Sequence, residues 1–274
     1  MTPWLVTTNV GAGPGGSAAR TAGMAAWATS VLERGPALVC AQEVPATDWL
    51  NVWTDAGYRP WFGPDRGWKV RSALLTRPDL EFTAIDFPNR TYHGSYVAAA
   101  RVTTRRGPVT VASVQASPNQ AEPEKYGWSG PVPSRRDGGD DPRYVGRRLW
   151  DSDLLLSTLA GLAASGPLLA AGDLNEAEAH DLDPRSDHHG TWGKEYFERL
   201  STGGLTDHLS QSWRGERPTR GRLQLDRLIV NSSGRSYVSD DQPEIDKAWA
   251  APVAAARLSD HAAIWVRLTD DWSL

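Results

Sequence analysis

The chain has 274 residues, with 29 basic and 33 acidic side chains and a net charge of −4, so bulk charge supplies no general attraction to nucleic acid or anionic membrane, although a local basic groove stays open. Cys40 is the single cysteine and sits in the apolar run Ala37-Leu38-Val39-Cys40-Ala41, which excludes an internal disulfide and a cysteine-based zinc site and reads as a small buried hydrophobe. No window approaches the ~20 apolar residues of a membrane span, and residues 1–10 carry no basic leader with a long apolar stretch; the expectation is a soluble cytoplasmic protein, unless a leader has been removed.

Residues 4–9 alternate and are β-branched enough for a first strand, ending in Asn9. Gly11-Ala12-Gly13-Pro14-Gly15-Gly16 follows, then a predicted helix over 17–34 stopped by Gly35-Pro36, then a strand over 37–42 that leads into Glu43. Glycine turn, helix, strand and acidic residue in that order also describe a dinucleotide-binding unit. Against that reading, Pro14 removes an N–H that could face a pyrophosphate, and repeating strand and helix units do not continue downstream. A second helix is predicted over 46–56, closed by Gly57. Strands follow at 58–61, 70–76, 81–86, 96–103 and 109–115, the last two joined by a turn at Arg105-Arg106-Gly107, with Gln115 ending the final arm. The 13 tryptophans read mainly as packing, with some left to stack on a ligand.

Residues 116–146 show no period, and a loop of that length is functional or disordered. Arg143, Arg147 and Arg148 stand at its end, either a wall that grips phosphate through guanidinium forks or part of a solvated loop of balanced charge. An amphipathic helix over 149–163 ends at Gly166-Pro167, and the apolar run 167–171 stops in Gly172-Asp173-Leu174-Asn175. In a strand-like run, alternation sends Asp173 and Asn175 to one side and Leu174 into the core, at the carboxyl edge of a sheet where α/β proteins put their chemistry. An Asx turn is the alternative. His180, Asp187, His188 and His189 in the loop 176–193 invite a metal reading, but adjacent side chains diverge and no further ligand has matching spacing, so a solvated loop is preferred. A helix at 194–202 leads through 203–207 to a strand at 223–231 carrying Asp226. The chain closes with 253–258, Ser259-Asp260-His261 and a strand at 262–268. Both halves share a plan of strands and helices ending in strands, which suits two sheets packed face to face with helices outside.

The polar residues that end predicted strands are Asn9, Glu43, Gln115, Asp173, Asn175, Asp226, Asp260 and His261. Hard oxygen donors with one imidazole suit Mg²⁺ or Mn²⁺ and point to phosphate chemistry, which needs a cation for the phosphoryl charge and a carboxylate for the water.

Thr8-Asn9-Val10, Ala41-Gln42-Glu43, Gly172-Asp173-Leu174-Asn175, Gln224-Leu225-Asp226-Arg227-Leu228-Ile229-Val230 and Ser259-Asp260-His261 resemble the successive motifs of the endonuclease/exonuclease/phosphatase superfamily. The resemblance implies an α/β fold, a four-layer sandwich of two mixed β-sheets with helices outside, here as a single domain over 1–274 with a long loop at about 116–146. It implies a divalent cation, Mg²⁺ or Mn²⁺, held mainly by Glu43, with Asn9 in its inner or outer shell and Asp260 binding directly or through water. Asp173 would orient or deprotonate the attacking water, Asn175 would hold that water or a phosphate oxygen, and His261 would donate to the phosphoryl oxygens, oriented and kept cationic by Asp226. Asn119 is a candidate phosphate contact by the same resemblance.

The chain departs from the deoxyribonuclease-like pattern at Gln115, where those members carry histidine. Glutamine cannot give a proton to a leaving alkoxide. A metal-bound water, His93, Tyr92, Tyr126 or a long-loop residue would have to replace it. The family includes nucleases, phosphatases and sphingomyelinases, so the resemblance fixes no substrate. The expectation is a metal-dependent phosphoesterase acting on a phosphodiester, with nucleic acid as the first substrate to try. The alternatives are a small-molecule phosphatase or tailoring enzyme, and a non-catalytic binding member.

Overall fold

The computed structural model describes residues 3–11, 18–45, 49–63, 70–87, 97–117, 120–123, 132–137, 147–178, 193–247, 259 and 261–272. Strands β1 (Trp4–Asn9), β2 (Leu38–Pro45), β3 (Arg59–Phe62), β4 (Val70–Thr76), β13 (Glu244–Asp246) and β14 (Ala263–Arg267) form one six-stranded sheet in the order β13-β14-β1-β2-β4-β3. Strands β5 (Phe82–Ile85), β6 (Val97–Thr104), β7 (Gly107–Gln115), β10 (Leu168–Asp173), β11 (Leu205–Asp207) and β12 (Asp226–Asn231) form the second, ordered β11-β12-β10-β7-β6-β5. Each sheet is mixed on the same plan: a parallel central pair, β1 with β2 and β10 with β7, is flanked on both sides by antiparallel neighbours.

The period of two decides the layers. Leu5, Leu38, Cys40, Leu74 and Ile264 of the first sheet meet Ala98, Val109, Val111, Leu169, Ala171 and Leu228 of the second in one apolar layer between the sheets. The alternate residues face outward. Val6, Val39, Ala41, Leu75 and Trp265 pack on α1 (Ala18–Glu33) and α2 (Trp49–Asp55) through Trp27, Trp49 and Trp53. Ala112, Val114, Leu168, Ala170 and Ile229 pack on α3 (Asp151–Ala163) and α4 (Gly193–Thr202) through Leu155, Leu159, Tyr196 and Leu200. Helix, sheet, sheet, helix is the four-layer sandwich expected from the sequence. Trp27, Trp49, Trp53, Trp265 and Trp272 are fully buried, so these tryptophans are packing. Cys40 is buried and free, as its apolar run suggests. Among the described residues, no helix is long and apolar enough to cross a membrane.

The structure differs from the sequence reading in several stretches, among them β13, which lies in a span where no element was expected. The strand expected at 37–42 runs on to Pro45, past a register shift between Ala41 and Val44 that sets Gln42 and Glu43 against Ser72 alone. Such a bulge inserts an unpaired residue, which breaks the alternation that marks a strand. Residues 203–207 contain β11, and α5 (His208–Trp213) follows directly, capped by Asp207, whose side chain accepts from Leu209 N at 3.0 Å. In the span 116–146, where the sequence shows no period, β8 (Arg136–Asp137) pairs with β9 (Arg147–Arg148) just beyond its end, and Gln120 bridges to Trp150. Two-residue strands are too short to show a period.

Candidate active site

The inner faces of the two sheets are apolar along most of their length and turn polar at one end. Continuing the inward alternation, β1 ends in Thr7 and Asn9, β2 reaches Gln42, β7 ends in Ser113 and Gln115, β10 ends in Asp173, and antiparallel β12 begins at Asp226. These ends coincide because the pairing register aligns them: Asn9 lies opposite Gln42, and Asp173 lies opposite both Gln115 and Asp226. The polar end is bonded across the sheets. Gln42 Nε2 donates to Ser113 Oγ at 3.0 Å and to Cys40 O at 3.1 Å, and Ser113 Oγ donates to Ala41 O at 3.1 Å. Sequence reasoning gave no role to Gln42, quoted only within the motif Ala41-Gln42-Glu43, or to Ser113, although Ser113 shares a face with Gln115.

Asn9 sits between two carboxylates. Its Nδ2 donates to Glu43 Oε1 at 3.1 Å and to Asp173 Oδ2 at 3.0 Å, while its Oδ1 accepts from Gly11 N at 2.8 Å. Glu43 is raised out of the strand by the bulge, at φ 52°. Its Oε1 also takes the amide of Gln115 at 2.8 Å, so Glu43 is what Gln115 faces.

Asp173 and Asn175 do come together, by way of the turn that alternation alone would not supply. Asn175 has φ 51°, its N donates to Asp173 Oδ1 at 2.8 Å, and its Nδ2 donates to Asp173 Oδ2 at 3.1 Å and Ala116 O at 2.7 Å. The Asx turn and the shared site are therefore one arrangement, with Leu174 buried in the apolar layer beneath α3 and α4. Burial pushes the Asp173 carboxyl up to about 6, with the His261 charge lowering it and Asp226 raising it.

His261 completes the cluster. Its Nδ1 donates to Asp226 Oδ2 at 2.8 Å, and its Nε2 lies 3.8 Å from Asp173 Oδ2. The backbone fixes that orientation: His261 N donates to Ser259 Oγ at 3.0 Å, and Ser259 Oγ donates to Asn9 O at 2.6 Å. Thr219, also unanticipated, accepts at Oγ1 from Asp226 N at 3.2 Å and at its carbonyl from Ala262 N at 2.8 Å, joining the segments that carry the two members of the pair.

Of the expected residues, Asn9, Glu43, Gln115, Asp173, Asn175, Asp226 and His261 converge at this strand-end cluster. Asp260, Asn119 and Arg143 lie outside the described residues, as do His93, Tyr92, Tyr126, His180 and 187–189, the glycine turn at 12–16 and the stretch 253–258. Arg147 is described only through its backbone, in β9.

The cation that the resemblance implies would meet a fitting set of donors. Among the described residues Glu43 Oε1 takes two amide donors while Oε2 is left without a hydrogen bond, presenting hard oxygen at the cluster. Among the described residues no group of three or more acidic, histidine or cysteine side chains is arranged so that together they could hold a metal ion.

Gly172 makes the close approach of β10 possible. It has φ 152°, and an added Cβ would stand 1.9 Å from Val114 O and 2.9 Å from Gln42 Nε2. Gly172→Ala should cost about 3 kcal/mol, near the upper end for a single substitution, because a backbone carbonyl must move. Urea denaturation reads this directly, and an unchanged midpoint and slope would contradict it.

The sequence profile described as the Endonuclease/Exonuclease/phosphatase family matches residues 6–261. No curated protein sequence matches the chain. Among solved structures, the 3′ phosphatase NExo from Neisseria, bound to a product DNA hairpin, superposes with a TM-score of 0.64 at 17% identity, covering 97% of this chain and 99% of that one. The AP endonuclease from Archaeoglobus fulgidus superposes with a TM-score of 0.64 at 14% identity and 97% and 99% coverage. D. rerio TDP2, complexed with a single-strand DNA product, does so with a TM-score of 0.63 at 14% identity and 98% and 99% coverage. At these identities the superpositions establish the fold.

Proposed function

The chain belongs to the endonuclease/exonuclease/phosphatase family, and from that membership we propose that it is a divalent-metal-dependent hydrolase of phosphodiesters, with a nucleic-acid strand as substrate. The observation that carries the reading is the pairing of Asp173 with Asn175 and of Asp226 with His261 around one strand-end cluster that also includes Glu43. The DNA products bound to the NExo and TDP2 structures support the choice of substrate class.

In this reading Glu43 would hold Mg²⁺ or Mn²⁺, Asp260 would join it as a ligand directly or through water, and Asn9 spaces Glu43 from Asp173. Held there, such a cation would supply positive charge to the phosphoryl oxygens. Asp173, with its carboxyl pushed up to about 6, holds the water and takes its proton, and Asn175 fixes the direction of that carboxylate through two hydrogen bonds. His261 has its Nδ1 committed to Asp226, which leaves Nε2 to donate to the phosphoryl oxygen as charge builds. Gln115 braces Glu43 through its amide and has no proton to give the leaving oxygen.

The test is a set of phosphodiesters and phosphomonoesters assayed with Mg²⁺, with Mn²⁺ and with EDTA. Hydrolysis of diesters that requires the metal is expected, and absence of turnover on every ester at saturating metal would refute the proposal. Mg²⁺ should also raise the melting temperature, since a ligand bound only by the folded chain stabilises it. Glu43→Gln should reduce that rise, and an equal rise in both proteins would remove Glu43 from the metal site.

A further inference from the structure

Residues 214–222 read Arg-Gly-Glu-Arg-Pro-Thr-Arg-Gly-Arg, four arginines against one carboxylate in a chain whose net charge is −4. Glu216, the one carboxylate, pairs with buried Arg227. Arg214, Arg217, Arg220 and Arg222 are all exposed. The segment is nevertheless built. Arg220 N donates to Leu223 O at 3.0 Å and Leu223 N to Arg220 O at 2.9 Å, closing a tight hairpin with Gly221 at φ 56° and Arg222 at its tip. Arg217 lies over the Trp213 ring, 5.7 Å from its centroid.

This hairpin is tied to the catalytic pair. Arg220 forms an antiparallel bridge with His261, and Thr219 bonds the backbone of both Asp226 and Ala262. The arginine-bearing backbone thus runs one strand spacing, about 4.8 Å, from that of His261. The exposed guanidinium groups of Arg214, Arg217 and Arg222, spread along nine residues, cannot all meet one phosphate group. They match a ligand that repeats its charge along a chain, with each fork reading a phosphate. A lipid surface would find no apolar foothold here: among the described residues the one large exposed apolar side chain is Val132.

We propose that the 214–222 hairpin grips the backbone of a nucleic-acid strand, taking phosphates that flank the one presented to Asp173 and His261. The proposal rests on the phosphoesterase reading for its register with the active site, and it assigns the substrate as a polymer rather than an isolated phosphate ester. The test measures binding apart from turnover, by anisotropy of a labelled DNA single strand and of a duplex with the wild-type protein in EDTA over a salt series. Each lost phosphate contact should lower the magnitude of the slope of log K against log salt by about 0.7 on a single strand and about 0.9 on a duplex. Arg217→Gln combined with Arg222→Gln should therefore lower it by about 1.4 or about 1.8.

Arg105→Gln removes an exposed charge from the turn at the far end of β6 and β7 and should leave the slope as it is. Arg214→Gln, read singly, guards against misfolding of the double variant, whose melting curve is taken alongside. A wild-type slope in the arginine variants, an equal loss in Arg105→Gln, or no DNA binding at low salt would overturn the proposal. A lowered slope without metal-dependent hydrolysis of any ester would keep the grip and remove the phosphoesterase reading; hydrolysis with an unchanged slope would do the reverse.

Discussion

Replacing Asp173 by asparagine should lower kcat by at least ~10²-fold, the scale on which a positioned acid or base contributes. The carboxylate accepts three hydrogen bonds, from Asn175 N, Asn175 Nδ2 and Asn9 Nδ2, and donates none. An amide offers one acceptor oxygen and turns its nitrogen toward a neighbouring donor, so Asp173→Asn loses both the base and the geometry around it. Leaving a buried donor unsatisfied costs about 1–3 kcal/mol, while removing a buried charge offsets part of that. Melting temperature is therefore a poor readout, and kcat at saturating substrate and metal, with the near-UV spectrum retained, is the measurement that decides. Turnover within a fewfold of wild type would take Asp173 out of the chemistry.

His261→Ala should lower kcat by a similar ~10²-fold or more, and it should also destabilise the fold. Asp226 is fully buried; its Oδ2 is engaged by His261 Nδ1, and its Oδ1 has no hydrogen-bond partner among the described residues. Removing the imidazole strands a carboxylate in the interior, which costs about 3–5 kcal/mol. The double variant His261→Ala with Asp226→Asn removes the stranded charge and should regain much of the stability while staying inactive. Denaturation and turnover measured on both proteins separate the two effects. Full activity in His261→Ala would contradict the role of the imidazole, and equal stability in the single and double variants would contradict that of its carboxylate partner.

Much of this site is legible in the sequence because the inner strand faces obey the period of two up to the point where the chemistry begins. Asp173 stands out as the polar stop of an apolar run, and Asp226 as a carboxylate inside the strand-like stretch 223–231. Alternation fails where the backbone leaves regular geometry, at Glu43 in its bulge and Asn175 in its turn, both with positive φ. The resemblance rather than the pattern supplies their roles. The contact between Gln115 and Glu43 joins positions 72 apart in sequence and crosses from one sheet to the other, so no local signal carries it. Strand β11 and helix α5 escape sequence reading for a different reason: three and six residues are too few for periodicity, and the cap at Asp207 is the one mark available. The arginines of 214–222 sit in plain view, but their significance comes from the bridge between Arg220 and His261, which only the folded chain forms.

The bonds from Gln42 to Ser113 and from Ser113 to Ala41 join the two sheets at their polar end, and the cluster itself is divided across that seam. Asn9 and Glu43 belong to one sheet, Gln115, Asp173 and Asp226 to the other. Apolar packing between sheets tolerates sliding, whereas these short directional bonds do not. The site therefore has no existence in either half alone. It assembles and disassembles with the whole sandwich, and a fragment carrying one sheet would inherit half of a mechanism.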